Sequence, residues 1–205
     1  MAKTIDDLIN SFDNLEAELK TELPKITLEY AGNAVALAFQ RVEKEGAKPG
    51  AKYSEEPMYA TQAVFNNKGA FKPRGKNVKG KKAKFKQGGT QKVLGIAKAP
   101  KLRESMYLEH GYKELRQIQG LQTSVVDLEY TGRMHQNTNP LGIETKSEFS
   151  MTAVVGATNE EEKKKLKANF KRYGNFLRVT PEIQEEINPI VIDRIKDIMR
   201  QVFSS

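Results

Sequence analysis

Hydrophobic positions recur at two spacings along this chain, and each spacing predicts a different kind of element. Ile5, Leu8, Ile9, Phe12, Leu15 and Leu19 fall on one face of a 3.6-residue repeat. They predict an amphipathic helix from Thr4 to about Glu22, with Thr4 as its cap and Asp7 three residues on in a capping-box arrangement. Pro24 suits the first turn of a second helix, because its missing N–H is not needed there. Leu28, Ala31, Val35, Ala38, Phe39 and Val42 continue that helix until Gly46 ends it. The small residues Ala31, Gly32, Ala34, Ala36 and Ala38 let a core element or another subunit approach closely.

Further along, the spacing changes. Ser124 to Tyr130, SVVDLEY, reads as a strand leading into the tight turn Thr131 to Met134, and the preceding stretch from Arg103 reads as turns and a short helix. From Ile143 to Val155 the odd-numbered positions Ile143, Phe149, Met151, Ala153 and Val155 share a face opposite Glu144, Lys146 and Glu148, which predicts a strand with one wet side. Asn159 caps a helix with Glu160, Glu161 and Glu162 in its first turn and lysines after them, the polarity that the helix dipole favours, and Gly174 stops it. Thr180 and Pro181 open a last helix whose face is Ile183, Ile187, Val191, Ile195, Ile198, Met199 and Val202, with a kink or split expected at Pro189. The expected fold class is α+β: a small antiparallel sheet packed by long N-terminal helices and a C-terminal helix.

Between about residues 46 and 100 no periodicity is sustained, and there the charge changes the picture. The 205 residues carry 34 Lys and Arg against 26 Asp and Glu, a net charge of +8. Between Pro57 and Arg103 there is no acidic residue and there are 13 basic ones, which leaves 21 basic and 26 acidic residues elsewhere. The sequence therefore reads as one α+β domain over residues 1–205 carrying an extended, basic, Gly/Lys-rich insertion or arm over residues 47–102. Such a segment repels itself and buries little apolar area, so nucleic acid or an acidic protein surface would order it. The contact candidates are Lys68, Phe71, Lys72, Arg74, Lys76, Lys79, Lys81, Lys82, Lys84, Phe85 and Lys86. Lysines neutralise phosphates and aromatic rings stack on bases. The chain holds no RNP, KH or zinc-finger pattern, so binding of that kind would be non-specific.

Catalytic chemistry is poorly provided for. With no cysteine the chain has no disulfide, thiolate ligand or thiol nucleophile, and its two histidines have no second ligand at helical spacing. Gly75 to Lys81 matches the first seven positions of a phosphate-binding loop, but Lys82 stands where the Mg²⁺-holding hydroxyl belongs, and no buried strand precedes it. There is no GxSxG elbow. The expectation is a non-enzyme without cofactor or metal. No apolar run approaches the ~18 residues of a spanning helix, and the first residues lack the apolar core of a secretory signal.

The second half of the chain also carries a recognisable order of phrases. LEHGYKELRQIQG leads to SVVDLEY and then TGRM; an alternating stretch ending VVGAT follows, then a helix, the break RYGNFLRVT, and a terminal helix opening PEIQEEI. This resembles the tail-completion and head–tail joining proteins of tailed bacteriophages, the virion morphogenesis family. The matching positions are Thr131, Gly132, Arg133 and Met134; Val155 and Gly156; and Phe176, Leu177, Thr180 and Glu182. The resemblance covers about residues 103–203, and 4–45 in outline. It departs at Gly174-Asn175, where the family has Arg-Pro, and in lacking the family's histidine-glycine phrase. It implies a structural virion protein without catalytic residues, forming a homo-oligomeric ring at the head–tail junction. Its implied partners are portal-side, neck and tail proteins, with non-specific contact to packaged DNA and none to membrane. Such a protein is assembled in the host cytoplasm.

Overall fold

The computed structural model describes residues 4–84, 90–96, 101–128 and 133–204. In chain order the elements are α1 (Ile5–Glu45), β1 (Met58–Ala60), β2 (Lys82–Lys84), β3 (Thr90–Leu94), β4 (Met106–Leu108), α2 (Gly111–Ile118), α3 (Arg133–Gln136), β5 (Thr138–Ser147), β6 (Ser150–Ala157), α4 (Glu160–Tyr173) and α5 (Pro181–Ser204). Two 3₁₀ turns, Gln62–Val64 and Lys68–Ala70, follow β1. The fold is α+β, with long helices at both ends of the chain. Where the sequence suggests one domain with an insertion, the chain forms two compact units: Met1–Val42 with Gly132–Ser205, and Glu43–Thr131.

The first unit is built on an antiparallel pair of helices. Thr4 and Asp7 form the expected capping box, the Asp7 N–H donating to Thr4 Oγ1 at 3.2 Å and the Thr4 N–H to Asp7 Oδ2 at 2.7 Å. The two expected N-terminal helices are one helix of 41 residues, with Pro24 inside it. Alternate packing along α1 and α5 accounts for the continuity, since tertiary contact overrides a single unfavourable residue. Phe12 meets Phe203 edge-on at 5.5 Å, Glu22 accepts from Arg194 at 3.2 Å, and Ala34 and Ala38 pack with Ile183 and Ile187. Pro189 likewise lies within a continuous α5. Phe176, in the α4–α5 connection, is buried between Phe170 (4.8 Å) and Phe39 (6.4 Å), and its carbonyl accepts from Arg41 Nη2 at 2.6 Å.

The expected single strand over 143–155 is a hairpin. Strands β5 and β6 pair antiparallel, with Ile143 opposite Ala153, Thr145 opposite Met151 and Ser147 opposite Ser150. A register shift between Thr145 and Ser147 keeps odd-numbered positions of both arms on one face, so the alternation runs through the turn unbroken. Helix α4 starts as expected, with Asn159 Oδ1 accepting from the Glu162 N–H at 2.9 Å, and ends at Gly174 with φ 80°.

The second unit holds a four-stranded sheet in the order β2-β3-β1-β4, within the stretch expected to be an extended arm. Strand β1 runs parallel to β3 and antiparallel to β4, so this sheet is mixed, while the β5–β6 sheet is antiparallel. One face buries Met58, Ala60, Met106 and Leu108 against Phe65 and Leu115 of α2. The other packs Tyr59 and Val93 with Val78. The chain at Arg74 and Val78 continues the sheet beyond β4 through bridges to Met106 and Arg103. The expected strand from Ser124 is not formed over its described residues 124–128, and Leu128 has φ 59°.

Candidate functional site

The eleven contact candidates do not form one arm. Lys82 lies on strand β2 directly opposite Lys92, two like charges facing each other across an antiparallel pair. Because β2 is an edge strand, lysine there also discourages pairing with another chain. Lys84 belongs to the same strand, while Phe85 and Lys86 lie outside the described residues. Lys68 Nζ donates to the Gln62 carbonyl at 3.0 Å, and the turn it begins is capped by Asn67. Phe71 is half-buried against Phe65, with ring centroids 5.4 Å apart, so its ring belongs to the core more than to a stacking platform. Arg74 is held by Glu114 and by the Tyr107 carbonyl, to which its Nε donates at 3.2 Å, and so works as a strut. Lys72, Lys76, Lys79, Lys81 and Lys82 have exposed side chains.

A pocket of about 350 Å³ in this unit brings together residues that sequence reasoning did not group. Thr61, Gln62, Ala63 and Phe71 line it together with Lys68, Arg103 and Glu104. Its neighbour Leu102 is 65% exposed. Arg103 reaches this place through paired backbone bonds with Val78 at 2.8 and 3.1 Å, a long-range pairing that leaves no local signal.

A buried polar network in the same unit was also missed by sequence reasoning. The Arg116 side chain is only 2% exposed; its Nη2 donates to Asp127 Oδ2 at 2.7 Å and Oδ1 at 3.0 Å, and its Nε to the Gln122 carbonyl at 2.8 Å. The guanidinium lies over the Tyr53 ring, 4.4 Å from its centroid. Tyr53 donates its hydroxyl to Asp127 Oδ1 at 2.6 Å and accepts from the Asp127 N–H at 3.1 Å. Burial first, and the Asp127 carboxylate second, push the Tyr53 hydroxyl well above the usual tyrosine range. With each charge met, the network clamps the chain after α2.

The first unit contributes two apolar surfaces. Ile5, Leu8, Ile9 and Phe12, on the first turns of α1, are 77%, 43%, 53% and 60% exposed. Carboxylates flank them at Asp6, Asp7, Asp13, Glu16 and Glu18, with no cation between Thr4 and Leu19. The second surface is a groove of about 640 Å³ bounded by Tyr30 and Ala34 of α1, Met151 and Val155 of β6, Phe170 of α4 and Leu177.

Among the described residues no group of three or more His, Asp or Glu is placed to hold a metal ion, and no helix is long and apolar enough to cross a membrane. The stretch resembling a phosphate loop has no helix after it: Val78 is in a bridge to Arg103 and Lys82 begins β2. Compared with known proteins, the chain matches no family model, no curated protein and no solved structure.

Proposed function

We propose that this chain is a structural subunit of a tailed-bacteriophage virion, assembled as a homo-oligomeric ring at the head–tail interface, where it joins portal-side and tail components. The observation that carries the reading is the solvent-facing apolar stripe Ile5, Leu8, Ile9 and Phe12 on a long, capped helix. Burying such a stripe gains about 25 cal/mol per Å² of apolar surface, and a contiguous exposed patch of this kind marks an association surface. The phrases of the family resemblance occupy framework positions: Val155 and Gly156 near the end of β6, buried Phe176 in the α4–α5 connection, and Thr180 and Glu182 at the start of α5. The resemblance implies no catalytic role for them. The ring is assembled in the host cytoplasm and resides at the head–tail junction of the virion.

Loss of the gene is expected to yield filled heads and separate tails, and electron cryo-microscopy of intact particles should find the subunit at that vertex. Normal joined virions without the protein would overturn the reading.

A second reading, non-specific binding of nucleic acid, is favoured by the exposed Lys72, Lys76, Lys79, Lys81 and Lys82 in a stretch free of acidic residues. Affinity for duplex DNA should then fall steeply with salt, and replacing Lys79, Lys81 and Lys82 by Glu should flatten the slope by about 3. Salt-independent or absent binding excludes it.

A further inference from the structure

The same stripe has an occupant suggested by the rest of the chain. We propose that the first turns of α1 in one copy dock on the basic unit of a second copy, at the pocket formed by Ala63, Phe71, Lys68 and Arg103. The inference deepens the assembly reading and rests on it, by naming the two surfaces through which copies join.

Two complementarities support it. The stripe is apolar at its centre and acidic at its margins, with five carboxylates and no cation over residues 4–19, one of them, Glu16, paired with Lys20 just beyond. The pocket offers cations where the stripe offers carboxylates: Lys68 and Arg103 line it with Ala63, the half-buried Phe71 and the polar Thr61 and Gln62, and Leu102, next to Arg103 in sequence, is exposed. Glu104 is the one acidic group at the pocket's edge. The pocket also sits in the segment from Pro57 to Arg103 that has 13 cations and no carboxylate. A large apolar side chain from the stripe, Ile9 or Phe12, fills the pocket while Asp13 meets Lys68 and Arg103. Such pairing favours the correct register and speeds encounter. The surfaces differ, so the contact is heterologous: repeated from copy to copy it closes into a ring if the rotation allows and otherwise grows as a filament.

The absence of cysteine makes a direct test simple. Ile9→Cys and Ala63→Cys proteins are mixed under mild oxidation at low salt. A disulfide-linked pair containing one of each variant is expected, in excess of what either variant forms alone. Sedimentation of the full chain should show self-association that weakens as salt is raised, and that weakens about tenfold or more in Ile5→Asp, a change at a largely exposed position that leaves the fold intact. Arg103→Glu should weaken it as well, and combining Arg103→Glu with Asp13→Lys should restore it. Oligomers that persist unchanged in Ile5→Asp and Arg103→Glu, with no mixed disulfide, overturn these surfaces and leave the assembly reading standing on its particle phenotype. A chain that stays monomeric at every concentration and salt overturns the proposal, whereas joined virions lacking the protein overturn the assembly reading itself.

Discussion

Arg116 shows what a single residue does in this molecule. A buried guanidinium is tolerated because Asp127 neutralises it and Tyr53 lies beneath it. Arg116→Leu leaves the Asp127 carboxylate buried without its partner, at a cost of about 3–5 kcal/mol read by chemical denaturation. Tyr53→Phe removes both hydrogen bonds of the hydroxyl to Asp127, one of them to the charged carboxylate, and should cost about 1.5–3 kcal/mol. It should also change the alkaline limit of stability. The unfolded chain releases the tyrosine proton near pH ~10, whereas the folded chain, with that hydroxyl pushed upward, retains it. Above that pH the folded state binds more protons, so stability falls as pH rises, and Tyr53→Phe should lessen the fall. Gly111 is strict for another reason: its φ is 57°, and a Cβ there would strike the Glu56 carbonyl oxygen. Gly111→Ala should therefore cost about 1–3 kcal/mol. Of these residues the sequence announces none. Arg116 looks like an ordinary cation in the last turn of a helix, and its partner lies beyond a bend eleven positions away. Caps and stops are different: Thr4, Asn159 and Gly174 act on their own neighbours and are legible where they stand.

Elements were legible in proportion to how local their causes are. Helices α4 and α5 follow from a cap, a repeat and a stop. Pro24 forbids the hydrogen bond to the Lys20 carbonyl and so predicts two helices where packing along α5 carries a single α1 through. Proline inside a helix costs about 3 kcal/mol relative to alanine. Pro24→Ala should accordingly raise thermal stability, and circular dichroism melting would measure it. The β5–β6 hairpin hid behind its own bulge, which preserves the alternation that a two-residue turn alone would have shifted. The mixed sheet was not legible at all. Its strands are three to five residues long, β2 and β3 carry lysines, and β1 finds its parallel neighbour more than 30 residues away. No window of sequence contains that pairing.

At the scale of the whole molecule, the division of charge coincides with the division of the fold. Residues 43–131 carry 18 basic and 9 acidic side chains, and the remainder carries 16 and 17. The basic character that the sequence assigned to an arm thus belongs to a folded unit with two packed faces. The candidate contact surface was half legible. The cations were visible as a run, but the pocket joining Lys68, Phe71 and Arg103 depends on long-range backbone pairing. The apolar stripe was visible as a helical face, while its exposure could be learned only from the structure.

The antiparallel pairing of α1 and α5 also has a mechanical consequence. Phe12 and Phe203 are in contact, so a load applied at Thr4 and Ser204 pulls on two adjoining ends of the pair. It would open the helices like a zipper, breaking the Phe12–Phe203 contact before the Glu22–Arg194 bond and the Ala38–Ile183 packing deeper in. Residues 43–131, entered and left through the loaded unit, would bear no tension until that unzipping was complete. In a pulling experiment the first event should therefore be a gradual, low-force extension, with the sheet of the basic unit yielding last.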